Sequence, residues 1–350
     1  MIYGAYGYSG ALIAREAKNL GLNPVLAGRS PEKVAALAAE LGFEYAVFSL
    51  DDPSTIETQL SEMQLVLHCA GPFSSTSAPM VEACLKSKTH YLDITGEISV
   101  FEYVHNQSDV IKDAGVVMCP GVGFDVIPTD CLAATLKDAL PDATHLTLGF
   151  DSRSSMSAGT AKSSVEGIKV GGRIRQDGII VEVPLAHKER IIDFGNGEKT
   201  ATAISWGDVS TAYYTTGIPN IEVYIPLPQK TISSLKFIRY LRPFLATDMI
   251  QNILKSRIDK TVSGPSPEER DKAISYVWGE VENAAGEKKT ARLTTANGYI
   301  VTTHGSLAVV RKLLENDMPP GSHTPSQIMG KEFVTTLPGS SKISFDESAA

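Results

Sequence analysis

The sequence contains no run of about 18 uninterrupted apolar residues, so no segment reads as a membrane-crossing helix, and no charged-then-apolar leader opens it. Positive charge is in short supply. Only 32 Lys and Arg stand against 40 Asp and Glu, a formal net charge of −8, and the basic residues are spread along the chain, which leaves no footprint for a nucleic acid partner. Cysteine is scarce: Cys69, Cys84, Cys119 and Cys131 make up the four, none in a C-x-x-C pair. They read as small core residues in a reducing compartment, and the cytoplasm is the expected location. The seven histidines lack H-x-x-x-H spacing, so no metal site is expected. No Tyr-x-x-x-Lys pair is present, and the absence of a G-x-S-x-G elbow removes the usual sequence basis for acyl transfer.

What is present is enough apolar material, 43% of 350 residues, for two ordinary domains without a metal or disulfide to hold them. From Ile2 to Cys119 short apolar runs alternate with helix-spaced stretches. The runs are Pro24 to Ala27, Tyr45 to Leu50, Leu65 to Cys69, Tyr91 to Ile94 and Val116 to Cys119. Runs that are apolar throughout suit parallel strands covered on both faces. Helix starts are marked at Ser9, at Ser30-Pro31 and at Asp52-Pro53. Only Met1, Ile2 and Tyr3 precede Gly4, fewer than the roughly five residues of an ordinary strand. The first strand is therefore expected either to be unusually short or to begin upstream.

After Pro128 the texture changes. A helix over Thr129 to Ala139 leads into alternating segments, among them His145 to Phe150, Gly178 to Val183, Thr200 to Ile204 and Ile221 to Ile225. The fold class that follows is α/β: a Rossmann doubly wound parallel sheet with a second α+β domain containing a mixed or antiparallel sheet. The expected domains are residues 1–130, completed by a returning helix within 300–330, then 131–300 for substrate or dimerisation, with 339–350 a flexible tail. Ile232 to Ile258 is a basic amphipathic helix or helix pair. The preferred reading packs its apolar face on its own domain; the minor reading lays it on a membrane.

The sharpest motif is Gly4-Ala5-Tyr6-Gly7-Tyr8-Ser9-Gly10, a G-x-x-G-x-x-G at the first strand-to-helix junction. Its glycines permit a tight turn and a close approach of backbone N–H groups to a pyrophosphate, and the helix N-terminus favours negative charge. Ala27-Gly28-Arg29-Ser30 ends the second strand. An NAD enzyme tends to place Asp or Glu there; Arg29 with the Ser30 hydroxyl instead suits a 2′-phosphate, so NADP is expected rather than NAD. Asp51 contacts the adenine side or caps the following helix. The loop Cys69, Ala70, Gly71 and Pro72 lies at the carboxyl edge of the sheet, where small residues admit the cofactor's central region. His68 beside it reads as a core histidine. The next two strand tips supply Thr95, Glu97 and Asp125 as candidate catalytic residues by position, each of which could also cap a helix or fix a turn.

Together these stretches resemble the saccharopine dehydrogenase-like superfamily, in particular the branch with trans-acting enoyl reductases. The matching segments are GAYGYSG at Gly4, AGRS at Ala27, HCAGPFSSTSAPMVEACL at His68, HYLDITGE at His90, PGVGFDVIPTDCLA at Pro120 and WGDVSTAYYTTGIPNIEVY at Trp206, with PPGSHTPSQIMG at Pro319. The resemblance implies an NAD(P)-binding Rossmann domain, a second domain whose sheet builds a homodimer, and hydride transfer where the two domains meet. It puts cofactor contacts on Tyr6, Gly7, Tyr8, Ser9, Arg29 and the Cys69 to Pro72 loop, and assigns no catalytic residue. Its members act on substrates from an amino-acid adduct to acyl chains. Three readings stand: an NADP-dependent reductase of a C=C or C=N bond in a small or acyl-chain substrate, a true saccharopine reductase, and a non-catalytic NADP-binding protein. Saccharopine's carboxylates would want convergent arginines in the second domain, where Arg153, Arg173 and Arg175 are present without a pattern that makes them converge; Tyr213, Tyr214, Phe237 and the following helix suit an acyl chain better.

Overall fold

The computed structural model describes residues 1–152, 157–245, 247–262 and 264–346. It divides into two compact units, residues 1–127 with 299–330, and residues 128–298 with 331–350. In the first unit β1 (Ile2–Tyr3), α1 (Tyr8–Asn19), β2 (Leu26–Gly28), α2 (Pro31–Leu41), β3 (Tyr45–Val47), α3 (Pro53–Leu60), β4 (Leu65–His68), α4 (Phe73–Ser87), β5 (His90–Asp93), α5 (Ile98–His105), α6 (Ser108–Ala114) and β6 (Val117–Cys119) follow one another. The six strands are parallel in the order β3-β2-β1-β4-β5-β6. That is the doubly wound order in which the crevice for a dinucleotide opens where the winding reverses, between β1 and β4. Leu26, Ala27, Val66, Leu67, Tyr91, Leu92 and Met118 are all buried, which is why these strands read as continuous apolar runs.

Besides shifts of one or two residues at the ends of β2, β5 and β6, two differences from the sequence expectation have a local cause. Strand β3 ends at Val47 rather than Leu50, because the chain turns away: the Tyr3 hydroxyl donates to the Phe48 carbonyl and the Ser49 hydroxyl to the Asp51 carboxylate. Helix α1 is capped by Gly7, not Ser9, since Gly7 is the last extended residue (φ −67°, ψ 165°) and Tyr8 is already helical.

The second unit holds α7 (Ile127–Ala139), whose first residue lies across the boundary, then β7 (Ala143–Ser152), α8 (Ala158–Val170), β8 (Gly172–Gln176), β9 (Ile179–Val183), β10 (Glu189–Asp193), β11 (Glu198–Ile204), α9 (Asp208–Thr216), β12 (Asn220–Pro226), α10 (Gln229–Leu245), α11 (Asp248–Thr261), α12 (Pro267–Lys272), β13 (Ile274–Asn283) and β14 (Lys288–Ala296). Its sheet is mixed. Strands β7 and β12 are parallel, and the other pairings are antiparallel. One face packs on α7, where Gly279 leaves room for Leu132 and Leu136. Ile192, Phe194, Ala201, Ala203, Tyr224 and Trp278 form an apolar cluster on the sheet.

Helix α13 (Gly298–Glu315), β15 (Gly321–Ser322) and α14 (Pro325–Met329) return to the first unit, where β15 adds to the β6 edge in parallel. The chain ends in the second unit with β16 (Ser344–Phe345) on β14. The stretch from residue 339, read from sequence as flexible, thus includes an ordered strand: Ser341 N–H donates to the Thr294 carbonyl and Ser341 Oγ accepts from Thr294 N–H, satisfying the β14 edge. Residues 347–350 of that stretch lie outside the described residues. Among the described residues no helix is long and apolar enough to cross a membrane.

Candidate active site

The candidate site is built on the carboxyl ends of β1, β2, β4, β5 and β6, all in the first unit. Gly4 leaves β1 with φ 78°, and a Cβ there would come 2.8 Å from the Ala70 backbone nitrogen. A Cβ on Gly10 would lie 2.4 Å from the Gly4 carbonyl oxygen and 3.0 Å from Ala5 Cα. Side chains are therefore excluded from both ends of the turn. The turn closes through the Gly7 N–H, which donates to the Gly4 carbonyl at 3.0 Å. Helix α1 begins on Gly7 with no side-chain cap and no acidic residue in its first turn. Its positive end is thus left available to an anion.

At the tip of β2 the Tyr6 ring covers Gly28, where a Cβ would meet Tyr6 Cε1 at 2.6 Å. Arg29 is exposed and forms no ion pair among the described residues. Ser30 is the N-cap of α2, yet its side chain makes no capping hydrogen bond. Lys33, in the first turn of α2, carries its ammonium 5.8 Å from the Tyr6 ring centre. Two cations, a hydroxyl and a helix N-terminus are grouped there, a donor set suited to a phosphate ester. Asp51 is exposed and bonded to Ser49, while the helix cap falls to Asp52, which accepts the Ser54 N–H.

The tip of β4 is fixed from within. The Thr76 hydroxyl donates to the Ala70 carbonyl at 2.7 Å, so it receives the N–H of His68 Nε2 at 3.0 Å. Burial among the Tyr3, Phe73 and Tyr91 rings pushes the His68 pKa down to about 3. The ring is neutral and serves as packing, in line with its core reading. Cys69 is half-buried, and its thiol is held protonated by burial. Ala70 and Pro72 are partly exposed and Gly71 is exposed, a rim of small residues beside the Gly4 turn.

Strands β5 and β6 bring Thr95, Glu97 and Asp125 to one region but give them different surroundings. Thr95 is buried, and its hydroxyl accepts the Glu97 N–H at 3.0 Å. The Glu97 carboxylate reaches back to the start of α4 and accepts the N–H groups of Phe73 at 3.1 Å and Ser74 at 2.6 Å. Helix α4 has Pro72 as N-cap and no local side-chain cap, so Glu97 supplies what the local sequence does not. Asp125 packs on Gly96, where a Cβ would lie 2.5 Å from its Oδ2. Burial, with the charge of Glu97, raises its pKa to about 7.

Sequence reasoning passed over three contributors. Asp93, fully buried, accepts the Tyr91 hydroxyl at 2.6 Å on one oxygen and the N–H groups of Thr95 and Gly121 at 2.9 and 2.8 Å on the other, tying the two strand tips together. Lys33 was within reach of sequence reading, four residues beyond Arg29. The return of helix α13 was expected but its contacts were not: Tyr299 sets its ring edge-on to Tyr8 at 4.9 Å and the Thr302 hydroxyl accepts the Phe124 N–H at 3.0 Å, contacts that only the folded chain creates.

Comparison with known proteins bears on the family and the fold. Residues 1–119 match the saccharopine dehydrogenase NADP binding domain family. The chain is 33% identical over 141 residues to a trans-acting enoyl reductase of Mycobacterium ulcerans, covering 37% of this chain and 33% of the relative. It is 28% identical over 200 residues to a protein of Arabidopsis thaliana described as a probable mitochondrial saccharopine dehydrogenase-like oxidoreductase, covering 50% of this chain and 44% of that one. The aligned regions thus span a third to less than half of these relatives. Apo saccharopine dehydrogenase (L-Glu forming) of Saccharomyces cerevisiae shares the fold at a TM-score of 0.63 and 12% identity, covering 99% of both chains. Residues 1–119, whose strands take the doubly wound order, are thus similar to the saccharopine dehydrogenase NADP binding domain family.

Proposed function

We propose that the chain is an NADPH-dependent reductase of a carbon-carbon or carbon-nitrogen double bond in a small or acyl-chain substrate. The observation that carries this reading is the pairing of a side-chain-free glycine turn at the start of α1 with the Arg29, Ser30 and Lys33 group at the tip of β2. The Gly4 to Gly10 backbone would hold the pyrophosphate, the β2 group the 2′-phosphate, and the Cys69 to Pro72 rim would let the middle of the cofactor pass. An acidic residue at position 29 would repel that phosphate; an arginine attracts it. Bound NADPH supplies a hydride. Asp125, half-protonated near neutral pH, holds the proton that a reduced double bond needs. Glu97 is engaged in holding α4, which makes it a positioning residue in this scheme.

Two of the arginines available to a polycarboxylate are otherwise engaged, which favours the acyl-type substrate over saccharopine. Arg175 is buried, donates to the carbonyls of Val209 and Gly178, and stacks on the Tyr213 ring at 4.3 Å. Arg173 faces Glu182 at 3.7 Å, and Arg153 lies outside the described residues. The relatives named trans-acting enoyl reductase support the same choice.

The test is a calorimetric titration of the wild type, Arg29→Ala and Lys33→Ala with NADPH and NADH. NADPH should bind more tightly, and each substitution should weaken it by roughly tenfold or more, the size of a charge-assisted hydrogen bond, while leaving NADH unchanged. Equal affinity for the two nucleotides, or variants indistinguishable from wild type, would remove the cofactor assignment. Consumption of NADPH on addition of an enoyl thioester then tests the substrate class.

A further inference from the structure

We propose that the outer face of α10 and α11 docks on an anionic lipid surface. The two helices pack against α8, and they bury only part of their apolar residues there. Ile232 is fully buried, and Gln251, also buried, donates to the carbonyls of Val165 and Leu245. Phe237 and Tyr240 on α10, by contrast, are 65% and 69% exposed, and Met249 and Ile253 on α11 are 70% and 60% exposed. The spacings, three and four residues, set each pair on one side of its helix. The sequence expectation that this segment spends its apolar side chains on its own domain is therefore met by Ile232 and not by these four.

Charge names the occupant. Residues 229–261 hold seven Lys and Arg against two Asp, a local net charge of +5 in a chain whose total is −8. Lys230 and Arg257 are exposed and form no ion pair among the described residues. Lys236 pairs with Glu189, and the Arg239 guanidinium lies 4.8 Å from the Tyr240 ring centre, beside an open groove of about 710 Å³ lined by Glu182, Val183, Pro184, Leu185, Arg239 and Tyr240. Large aromatic and aliphatic side chains flanked by Lys and Arg match the chemistry of a headgroup-to-acyl boundary: the apolar groups enter it, and the nearby cations are attracted to anionic lipid. Because no described helix can cross a bilayer, the contact is interfacial. A second copy of this net-negative chain would offer the cations a weaker complement than an anionic membrane.

The experiment is co-sedimentation of the full chain with vesicles of phosphatidylcholine alone and of phosphatidylcholine with about 30 mol% phosphatidylserine. Partitioning onto the mixed vesicles should be roughly tenfold stronger and should fall as added salt shortens the screening length. Phe237→Ser with Met249→Ser should abolish it, and Lys230→Glu with Arg257→Glu should remove the phosphatidylserine dependence, while far-UV circular dichroism and the thermal midpoint stay at wild-type values. Equal partitioning onto both vesicles would overturn the proposal, as would an apolar double variant that binds like wild type. So would a wild-type dimer in sedimentation velocity that Phe237→Ser with Met249→Ser turns into monomer, since the face would then belong to a second copy.

Discussion

The ring of Tyr6 occupies the space that a side chain on Gly28 would need, with Cε1 only 2.6 Å from where that Cβ would stand. A tyrosine ring can swing away, whereas the atoms crowding Gly10 are backbone, at 2.4 Å and 3.0 Å. The two substitutions should therefore fail differently. Gly28→Ala should keep a near wild-type thermal midpoint but displace Tyr6 from the nucleotide site and weaken NADPH binding several-fold. Gly10→Ala should cost about 1–3 kcal/mol of stability, the range for overpacking, read as a lower urea midpoint. A Gly28→Ala protein with unchanged nucleotide affinity would show that Tyr6 does not touch the cofactor.

These positions also mark what can be read from sequence. Leu26-Ala27-Gly28 and Leu65 to His68 lie in a sheet buried on both faces, so their uninterrupted apolar character gave away the parallel strands, and the glycine turn followed from its place between the first strand and helix. The roles of Glu97 and Asp93 were not visible. Glu97 bonds to amides 23 and 24 residues away and Asp93 to Gly121, 28 residues on, and such pairings exist only once the strand order is set. The exposure of Phe237 was not visible for a related reason: periodicity shows that a helix has an apolar face, but not whether anything in the same chain covers it.

Asp93 gives the first unit an acid-side stability signature. Burial raises its pKa to about 6, against about 3.9 in an unfolded chain. The folded state thus holds the proton more tightly, and stability should fall as pH rises from about 4 to 6, by up to about 3 kcal/mol, and then level off. His68, lowered to about 3 by burial, pulls the other way, losing stability as pH drops below about 6.5. The informative quantity is consequently the difference between wild type and Asp93→Asn in urea midpoints across this range. Asn keeps one oxygen for the Thr95 and Gly121 amides and can turn its nitrogen toward the Tyr91 hydroxyl, so the fold should survive and the Asp93 component of the slope should vanish. Asp93→Ala strands two buried N–H groups and should be less stable at every pH. Parallel curves for wild type and Asp93→Asn would mean that Asp93 does not titrate where its burial places it.

In the proposed reaction Glu97 and Asp125 would divide the work at the tips of β5 and β6, and pH would separate their roles. If Asp125 delivers the proton, it must be protonated to act, and with its pKa raised to about 7 the rate of NADPH consumption should be full below that pH and decline above it. Asp125→Asn should lower the rate by roughly 10²–10⁴-fold, the usual contribution of a general acid, and abolish the alkaline decline. Glu97→Gln removes the negative charge that helps to raise Asp125, so most activity should remain while the decline moves to lower pH. Glu97→Ala also frees the Phe73 and Ser74 amides at the start of α4 and should cost about 0.5–2 kcal/mol of stability, the range for a lost helix cap. An alkaline decline that persists in Asp125→Asn would return the proton to another donor, and a Glu97→Gln enzyme that is inactive with an unmoved decline would make Glu97 catalytic in its own right.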